Sequence, residues 1–306
     1  MKSTLSSINV FVTILALSYL FISFTNSMSD DKTYKNEFIN KYAVFSIIKP
    51  KNVDFAGEKV DVNSNDIWER FDKELLKNTY WQSNTMLYIK RANKYFPVIE
   101  SILKKNNIPE DFKYLAVIES GLENVTSPSG AKGFWQFLKS TAKEYNLEVN
   151  YAVDERYNLE KSTQAACDYL NVAFEKFNSW TLAAAAYNMG MNGLQKTLNN
   201  QKVKNYYDLH LNSETSRYVF RILAVKEILQ NPQKYGFVIR KQDMYFTEKY
   251  YVVEIDSTVH NLYEFCENYS INYQQLKKYN PWLLISKLPD ESRKKYFLKI
   301  PTNASN

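Results

Sequence analysis

One glutamate on an otherwise apolar helix face is the residue of this sequence best suited to acid–base chemistry. Glu119 continues the helical spacing of three apolar residues, Phe112, Leu115 and Ala116, and Gly121 ends the segment. Burial disfavours the charged form of a carboxyl group and raises its pKa, which suits a general acid. The alternative is a glutamate near the helix end that merely pairs with a cation.

The segment around Glu119 is one of four motifs that follow each other in order. FPVIESILKKNNIPEDFKYLAVIESGL from Phe96 precedes TSPSGAKGFWQF from Thr126, AAYNMG from Ala185 and ETSRYVFRILAVKEIL from Glu214. Together these motifs resemble the soluble lytic transglycosylase (SLT) family, nearest to its membrane-bound, MltD-like branch, over roughly residues 65–235. The resemblance implies a lysozyme-like helical catalytic domain with a deep groove for glycan.

The resemblance also implies roles for individual side chains. Glu119 matches the catalytic glutamate of the family. The residues that match substrate-binding positions are Ser120, Ser127, Gln136, Tyr187, Asn188, Glu214 and Tyr218. Without the family, Tyr187 is interpreted as core, Glu214 as a charge favoured at a helix N-terminus, and Trp135 as core or a ring that stacks on a sugar.

The chemistry implied by the resemblance needs only one carboxylate. Protonated Glu119 donates to the β-1,4 bond between N-acetylmuramic acid (MurNAc) and N-acetylglucosamine (GlcNAc), and the muramoyl 6-hydroxyl attacks to give a 1,6-anhydro end. Hydrolysis ordinarily uses two carboxylates, and no second one is obvious in the sequence. Peptidoglycan glycan strands are the expected partner, without a metal or other cofactor. The alternatives are a lysozyme-type muramidase acting on the same bond and a catalytically silent peptidoglycan-binding protein.

Residues 65–235 must position these side chains. Helical spacing of apolar residues dominates this part of the sequence and predicts a mainly α protein. Trp68, Phe71 and Leu75 mark a helix from Asp66, and Ala183 to Ala186 allow close helix packing. Further helices are predicted over 86–95, from Pro97 to Asn106, from Pro109 to Gly121, and over 163–177, 179–187 and 216–230.

After Gly236 the pattern changes to a small βααβ unit over residues 246–303. The runs 250–254 and 297–300 predict strands, and two short helices lie between them, the second beginning at the N-cap Asn272. The unit resembles a LysM peptidoglycan-binding module, with Asp256-Ser257 in place of the family's Gly-Asp turn. It is expected either to bind glycan or to fold alike and bind it poorly.

The N-terminus predicts export. Lys2 precedes an uncharged apolar stretch over residues 8–24, so residues 1–27 are interpreted as a signal peptide or an uncleaved membrane anchor. Either one delivers the rest to the periplasm or cell envelope, and an anchor would associate the protein with the membrane. Residues 28–64 lack a sustained period and are interpreted as a linker or lead-in.

Charge and cysteine usage exclude other classes of protein. The 39 Lys and Arg against 33 Asp and Glu are spread along the chain, so no nucleic-acid footprint is indicated. Cys167 and Cys266 have neither a CxxC spacing nor a neighbouring His cluster, which argues against a zinc or redox site. We expect buried free thiols, with an inter-domain disulfide as the alternative.

Overall fold

The fold is mainly helical, as the sequence predicts. The computed structural model describes residues 45–289 and 295–302, so the predicted signal or anchor lies outside the described residues. The helices before the βααβ unit are α1 (Asn65–Tyr80), α2 (Gln82–Lys105), α3 (Lys113–Ser120), α4 (Lys139–Glu144), α5 (Leu159–Phe177), α6 (Trp180–Met189), α7 (Met191–Gln201) and α8 (Thr215–Gln230). Among the residues that are described, no helix combines the length and apolarity needed to cross a membrane.

The short helix α3 lies in the centre of the larger hydrophobic core. Helix α8 packs against α1, α3 and α6, and α5 packs against α2 and α6. Ala183 to Ala186 of α6 are fully buried, and their small side chains let the neighbouring helices come close. Every residue of α3 is buried except Glu119, which is partly exposed. The core therefore fixes α3 from several sides and leaves one carboxyl group in contact with solvent.

Pro97 lies inside α2 instead of beginning a separate helix, so that prediction is wrong. The two predicted helices form one helix of 24 residues. Ile89, Ala92, Ile99 and Leu103 are buried along one face that stays in phase on both sides of Pro97. Burial of this continuous stripe outweighs the single backbone hydrogen bond that a proline removes.

A hairpin lies within the segment that the sequence analysis assigned to a linker. Strands β1 (Val53–Phe55) and β2 (Glu58–Val60) pair antiparallel through a turn in which Ala56 and Gly57 both have positive φ. Phe55 and Val60 are buried in the large core, which corrects the lead-in prediction for this part of the chain.

Glu58 of this hairpin holds the N-terminus of α6. Its carboxylate accepts hydrogen bonds from the backbone N–H groups of Trp180 (2.5 Å) and Thr181 (3.1 Å). The Ser179 hydroxyl donates to the same carboxylate at 2.9 Å. A negative charge at a helix N-terminus is favourable because the exposed N–H groups point towards it. The hairpin thus anchors the helix that carries Tyr187 and Asn188.

The predicted βααβ unit is present. It consists of β3 (Tyr250–Ile255), α9 (Leu262–Asn268), α10 (Tyr273–Tyr279) and β4 (Tyr296–Pro301). The two strands pair antiparallel, from Tyr250 opposite Pro301 to Ile255 opposite Tyr296. Asn272 caps α10 and forms a capping box with Gln275, which confirms the predicted N-cap.

The βααβ unit shares its core with a loop of the helical part, and we call this contact the junction (residues 148–154 with 282–284). Ala152 and Val153 are buried together with Leu262, Leu276 and Trp282. Backbone hydrogen bonds cross between the two parts, from Asp154 N to Trp282 O (2.9 Å) and from Leu284 N to Ala152 O (2.8 Å). The described residues from Ile47 onward accordingly belong to one compact unit.

Both cysteines are buried and free. Cys167 lies in α5 and Cys266 in α9, and neither forms a disulfide. Burial raises the pKa of the Cys167 thiol to about 12 and that of Cys266 above its ordinary value. The expectation of buried thiols is confirmed, and the disulfide alternative is wrong.

Candidate active site

Glu119 occupies the last turn of α3, where the helix is ended by a glycine. Gly121 adopts a φ of +64°, and its N–H donates to Val117 O. A Cβ atom at this position would lie 2.9 Å from the ring of Tyr88, so both the backbone conformation and the space favour glycine. This tight stop leaves the Glu119 side chain at the edge of the core.

The Glu119 carboxyl group has a raised pKa. Burial is the largest cause and brings the pKa to about 6, against an opposing effect of the Tyr218 hydroxyl, which donates to Glu119 Oε1. The positive charge of Arg221 also lowers the pKa, whereas the negative charge of Glu214 raises it. Near neutral pH both protonation states are accessible, so this one group can donate and then accept a proton.

Two tyrosines lie beside Glu119 and remain neutral. Tyr218 is 1% exposed, and the Tyr187 hydroxyl donates to Trp135 O at 2.8 Å. Burial and then the charge of Glu119 raise the pKa of both phenols well above the ordinary value. Tyr218 is therefore a permanent hydrogen-bond donor to Glu119, while Tyr187 connects α6 to the segment that carries Trp135.

Asn188 and Glu214 form a second polar group at the meeting point of α6 and α8. Asn188 Nδ2 donates to Glu214 Oε1 at 3.0 Å, and Thr215 Oγ1 donates to Asn188 Oδ1 at 2.7 Å. Glu214 is exposed and directly precedes α8, yet it lies close enough for its charge to act on Glu119. Within residues 45–289 and 295–302, no group of three or more His, Cys, Asp or Glu side chains is placed to hold a metal ion.

Ser120 and Trp135 lie in the packing around the site. The Ser120 hydroxyl is within hydrogen-bond distance of the carbonyl oxygens of Ala116 (3.1 Å) and Phe134 (2.9 Å). Trp135 is fully buried, and its indole N–H donates to Thr163 Oγ1 at 2.9 Å, so it is a core residue. The Ser120 hydroxyl thus already has hydrogen-bond partners inside the protein. Its contact with substrate stays a prediction.

Ser127 and Gln136 stabilise the loop that follows α3. Ser127 Oγ accepts a hydrogen bond from Ala131 N at 3.1 Å. Gln136 adopts a positive φ of 49°, and its Nε2 donates to Gly133 O (2.8 Å) and Val125 O (3.1 Å). A Cβ atom at Gly133 would lie 1.9 Å from Arg156 O, so the loop closes directly onto that residue. The substrate roles of both side chains stay predictions.

The sequence analysis missed two arginines that shape this region. Arg221 donates to Ile118 O at 2.6 Å and acts on the pKa of Glu119, and its position three residues after Tyr218 on α8 was the available signal. The Arg156 guanidinium donates two hydrogen bonds to Asp154 (2.7 and 2.9 Å) and another to Phe137 O (3.1 Å). Acidic and basic residues two apart are common on surfaces, so nothing in the sequence marked this buried pair.

Two family models match the chain. Residues 96–210 match the family described as "Transglycosylase SLT domain", and residues 251–304 match "Soluble lytic transglycosylase C-terminal LysM-like domain". The first match contains Glu119, Tyr187 and Asn188, whereas Glu214 and Tyr218 lie beyond it.

Similar proteins include the membrane-bound lytic murein transglycosylase D of Escherichia coli strain K12 and that of E. coli O6:H1. Each is 32% identical over 191 residues, which cover 60% of this chain and 41% of the relative. A putative tributyltin chloride resistance protein from Alteromonas sp. strain M-1 is 28% identical over 131 residues, 42% of this chain and 63% of the relative. The chain thus spans about two fifths of the length of the E. coli relatives it matches.

Among solved structures, the crystal structure of the 70 kDa soluble lytic transglycosylase from Escherichia coli is similar with a TM-score of 0.40 and 18% sequence identity. The match covers 65% of this chain and 40% of that chain. The family models locate both predicted modules in the parts of the chain where the structure has its helical core and its βααβ unit. The part of the chain that matches an SLT domain (residues 96–210) and the part that matches a LysM-like domain (residues 251–304) are called the SLT domain and the LysM-like domain below.

Proposed function

We propose that the chain is a peptidoglycan lytic transglycosylase that cleaves the MurNAc–GlcNAc β-1,4 bond and leaves 1,6-anhydro-MurNAc ends. The observation that carries the proposal is the Glu119 carboxyl group, whose pKa of about 6 suits a group that must both donate and accept a proton. The SLT match around Glu119 and the names of the E. coli relatives support the same activity.

In the first step Glu119 acts as the general acid. Because the Tyr218 hydroxyl donates to Oε1, the proton of the acid form resides on Oε2. That proton passes to the glycosidic oxygen as its bond to C1 of MurNAc breaks, and GlcNAc leaves with a free 4-hydroxyl. The positive charge that develops at C1 is stabilised by the carboxylate left on Glu119, and Tyr218 stabilises this carboxylate by hydrogen bonding.

In the second step the Glu119 carboxylate acts as the base. It takes the proton of the muramoyl 6-hydroxyl while O6 forms a bond to C1, which closes the 1,6-anhydro ring and restores protonated Glu119. The attacking hydroxyl belongs to the same sugar, so its effective concentration is high without an activated water. One carboxyl group therefore completes the cycle.

A lysozyme-type muramidase is the second candidate, and Glu214 is the observation that favours it. The sequence analysis identified no second carboxylate, whereas the charge of Glu214 acts on the pKa of Glu119. Two carboxyl groups are what hydrolysis by water ordinarily requires. Glu214 accepts a hydrogen bond from Asn188 Nδ2 and is exposed to solvent. This arrangement suits a residue that positions Asn188 at least as well as one that activates water.

Mass spectrometry of the fragments released from purified peptidoglycan tests the proposal. The wild-type chain is expected to release anhydro-muropeptides, and Glu119→Gln to reduce their rate of release by about 10³-fold or more, as loss of a general acid does. Glu175→Gln, a change of an exposed acid on α5, is the matched control and should keep normal activity.

The products distinguish the candidates. Reducing ends that depend on both Glu119 and Glu214 would replace the transglycosylase by a muramidase. Binding to the wall without release of any fragment would favour a catalytically silent protein. Anhydro ends that persist in Glu214→Gln would restrict Glu214 to positioning.

We further propose that the protein acts in the cell envelope, exported by residues 1–27 and with peptidoglycan as its binding partner. The apolar stretch over residues 8–24, the LysM-like match and the membrane-bound E. coli relatives support this location. N-terminal sequencing of protein recovered from the envelope fraction tests it: a start near residue 28 indicates a cleaved signal, and an intact N-terminus an anchor. Recovery in the cytoplasm alone would contradict it.

A further inference from the structure

A cleft runs between the SLT domain and the LysM-like domain, away from the Glu119 carboxyl group. It has a cavity volume of about 120 Å³, and we call it the interdomain cleft. Tyr95 and Tyr157 line it on the SLT side, and Tyr250, Tyr279 and Trp282 on the LysM-like side. Both walls belong to one compact unit, and the junction connects them through a shared core.

The interdomain cleft continues towards the end of the catalytic helix. A second concavity shares Lys94, Tyr95, Asn124 and Phe134 with it and extends to Leu122 and Glu123. These two residues directly follow Gly121, the residue that ends α3 after Glu119. The two concavities together form one trough from the C-terminal end of α3 to the LysM-like domain.

Three lysines and two glutamates line the interdomain cleft, so one lysine is in excess. Lys278 pairs with Glu248 at 2.6 Å, and Lys299 pairs with Glu160. Lys94 is the third lysine, and in the part of the chain that the structure describes its ammonium group has no ion-pair partner. Burial and then the charge of Lys278 lower the pKa of Lys94, and the charge of Glu248 raises it by less. A bound anion would offset the remaining decrease.

Lysine ammonium groups lie over aromatic rings that line the interdomain cleft. The ammonium group of Lys299 lies 5.0 Å from the centre of the Tyr250 ring, and that of Lys94 lies 5.2 Å from the centre of the Tyr95 ring. The Tyr279 hydroxyl donates to Glu248. Such rings offer fewer open faces for a sugar to stack on, so the cleft favours a small anionic group with an apolar surround.

We propose that the interdomain cleft binds a carboxylate of the peptidoglycan stem peptide, with Lys94 as its cationic partner, while the glycan strand lies at Glu119. The proposal rests on the proposed function, because a peptidoglycan strand carries peptides with free carboxylates beside the bond that is cut. The cleft then selects strands that still carry their peptides, and the LysM-like domain contributes one wall of a peptide site.

Binding measurements in a Glu119→Gln background, which stops turnover, test this proposal on the full chain. The two probes are a peptide-bearing glycan fragment and a fragment of the same length from which an amidase has removed the peptides. The parent protein is expected to bind the peptide-bearing fragment more tightly. Lys94→Gln should reduce this preference by about tenfold to a hundredfold, the effect expected of one hydrogen bond to a charged group.

Two further variants make the result specific. Lys104→Gln removes a charge from an exposed position of the same helix and should leave the preference unchanged. Lys94→Arg keeps the charge and should retain most of the preference. Equal melting temperatures show that the variants are folded.

Three outcomes would overturn the proposal: a parent protein without preference, a Lys94→Gln variant that keeps the full preference, or an equal loss of affinity for both probes, which would indicate a sugar site. The proposed function has its own readout in the anhydro products that depend on Glu119. A chain that releases these products but shows no preference disproves the peptide site and leaves the transglycosylase in place.

Discussion

Two carboxyl groups of the SLT domain, Asp154 and Glu119, have opposite electrostatic surroundings. Asp154, which is 2% exposed, receives two hydrogen bonds from the Arg156 guanidinium, and Lys132 Nζ lies 3.7 Å from its Oδ2. Glu119 receives one hydrogen bond from the neutral Tyr218, and the nearby Arg221 donates to a backbone carbonyl instead. One acid is neutralised by a cation, and the other is left with a pKa of about 6.

This difference in pairing gives the two acids different roles: Asp154 positions a loop, and Glu119 is suited to proton transfer. The Asp154–Arg156 pair ties the loop after α3 to the junction, because Arg156 also donates to Gly130 O and Phe137 O. A carboxylate held by two hydrogen bonds from a guanidinium has a fixed geometry, so it suits a structural role. Glu119 lacks such a partner and can exchange a proton near neutral pH. We expect the two acids to respond oppositely to replacement by the neutral amide.

Asp154→Asn should have the largest effect on stability. It leaves the Arg156 guanidinium, 4% exposed, without its counter-charge, and loss of one partner from a buried ion pair costs about 3–5 kcal/mol. Urea unfolding measures this free energy. Asp243→Asn is the matched control, since Arg240 and Asp243 form a similar two-bonded pair near the surface, whose loss should cost about 1 kcal/mol or less. Equal costs for both variants would show that the Asp154–Arg156 pair stabilises the fold no more than a surface pair does, and would contradict its structural role.

Local patterns predicted much of the fold. Helical spacing indicated most of the helices, and the Asn272 cap and the two strands of the LysM-like domain lie where the pattern placed them. The pattern failed at Pro97, because packing of a continuous stripe overrides a local helix signal. It missed β1 and β2, since strands of three residues are too short to show a period.

The site itself was predictable only in part. Spacing placed Glu119 on an apolar helix face but left a cation-paired glutamate as the alternative. The fold brings Tyr218, almost a hundred positions later in the sequence, to its carboxyl group. The burial of Val153 in the LysM-like core depends equally on a contact between distant segments. Contacts of this kind are set by tertiary packing, so neither propensity nor periodicity can reveal them.

Tyr218→Phe should change the pH dependence of activity. Glu119 must begin the cycle protonated, so kcat/KM should fall as the pH rises through about 6, the pKa of this carboxyl group. The Tyr218 hydrogen bond favours the carboxylate, and its removal should raise the pKa and move the falling limb to higher pH. Loss of a hydrogen bond to a charged group should also lower kcat/KM by about tenfold.

Tyr187→Phe is the matched control for that shift. The Tyr187 hydroxyl donates to Trp135 O and not to Glu119, so its removal should leave the position of the falling limb close to that of the wild type. Initial rates on purified glycan strands across the pH range measure both variants. A limb that moves to lower pH in Tyr218→Phe, or equally in both variants, would contradict the assigned role of Tyr218.

Glu119→Gln should stabilise the protein by a smaller amount, about 1–2 kcal/mol at neutral pH. The folded protein holds the Glu119 proton more tightly than the unfolded chain, with a pKa of about 6 against an ordinary 4.5. Stability of the wild type therefore decreases as the pH rises from about 4.5 to 6, and the loss is complete above that window. Glutamine stays neutral and avoids this loss, so the gain in stability of the variant should be full near neutral pH and vanish in acid.

Thermal unfolding from acid to neutral pH measures this gain in stability, with Glu175→Gln as the control. A Glu119→Gln protein less stable than the wild type at neutral pH would mean that the ionised carboxylate is as well compensated as that of Asp154, and the two acids would then differ only in position.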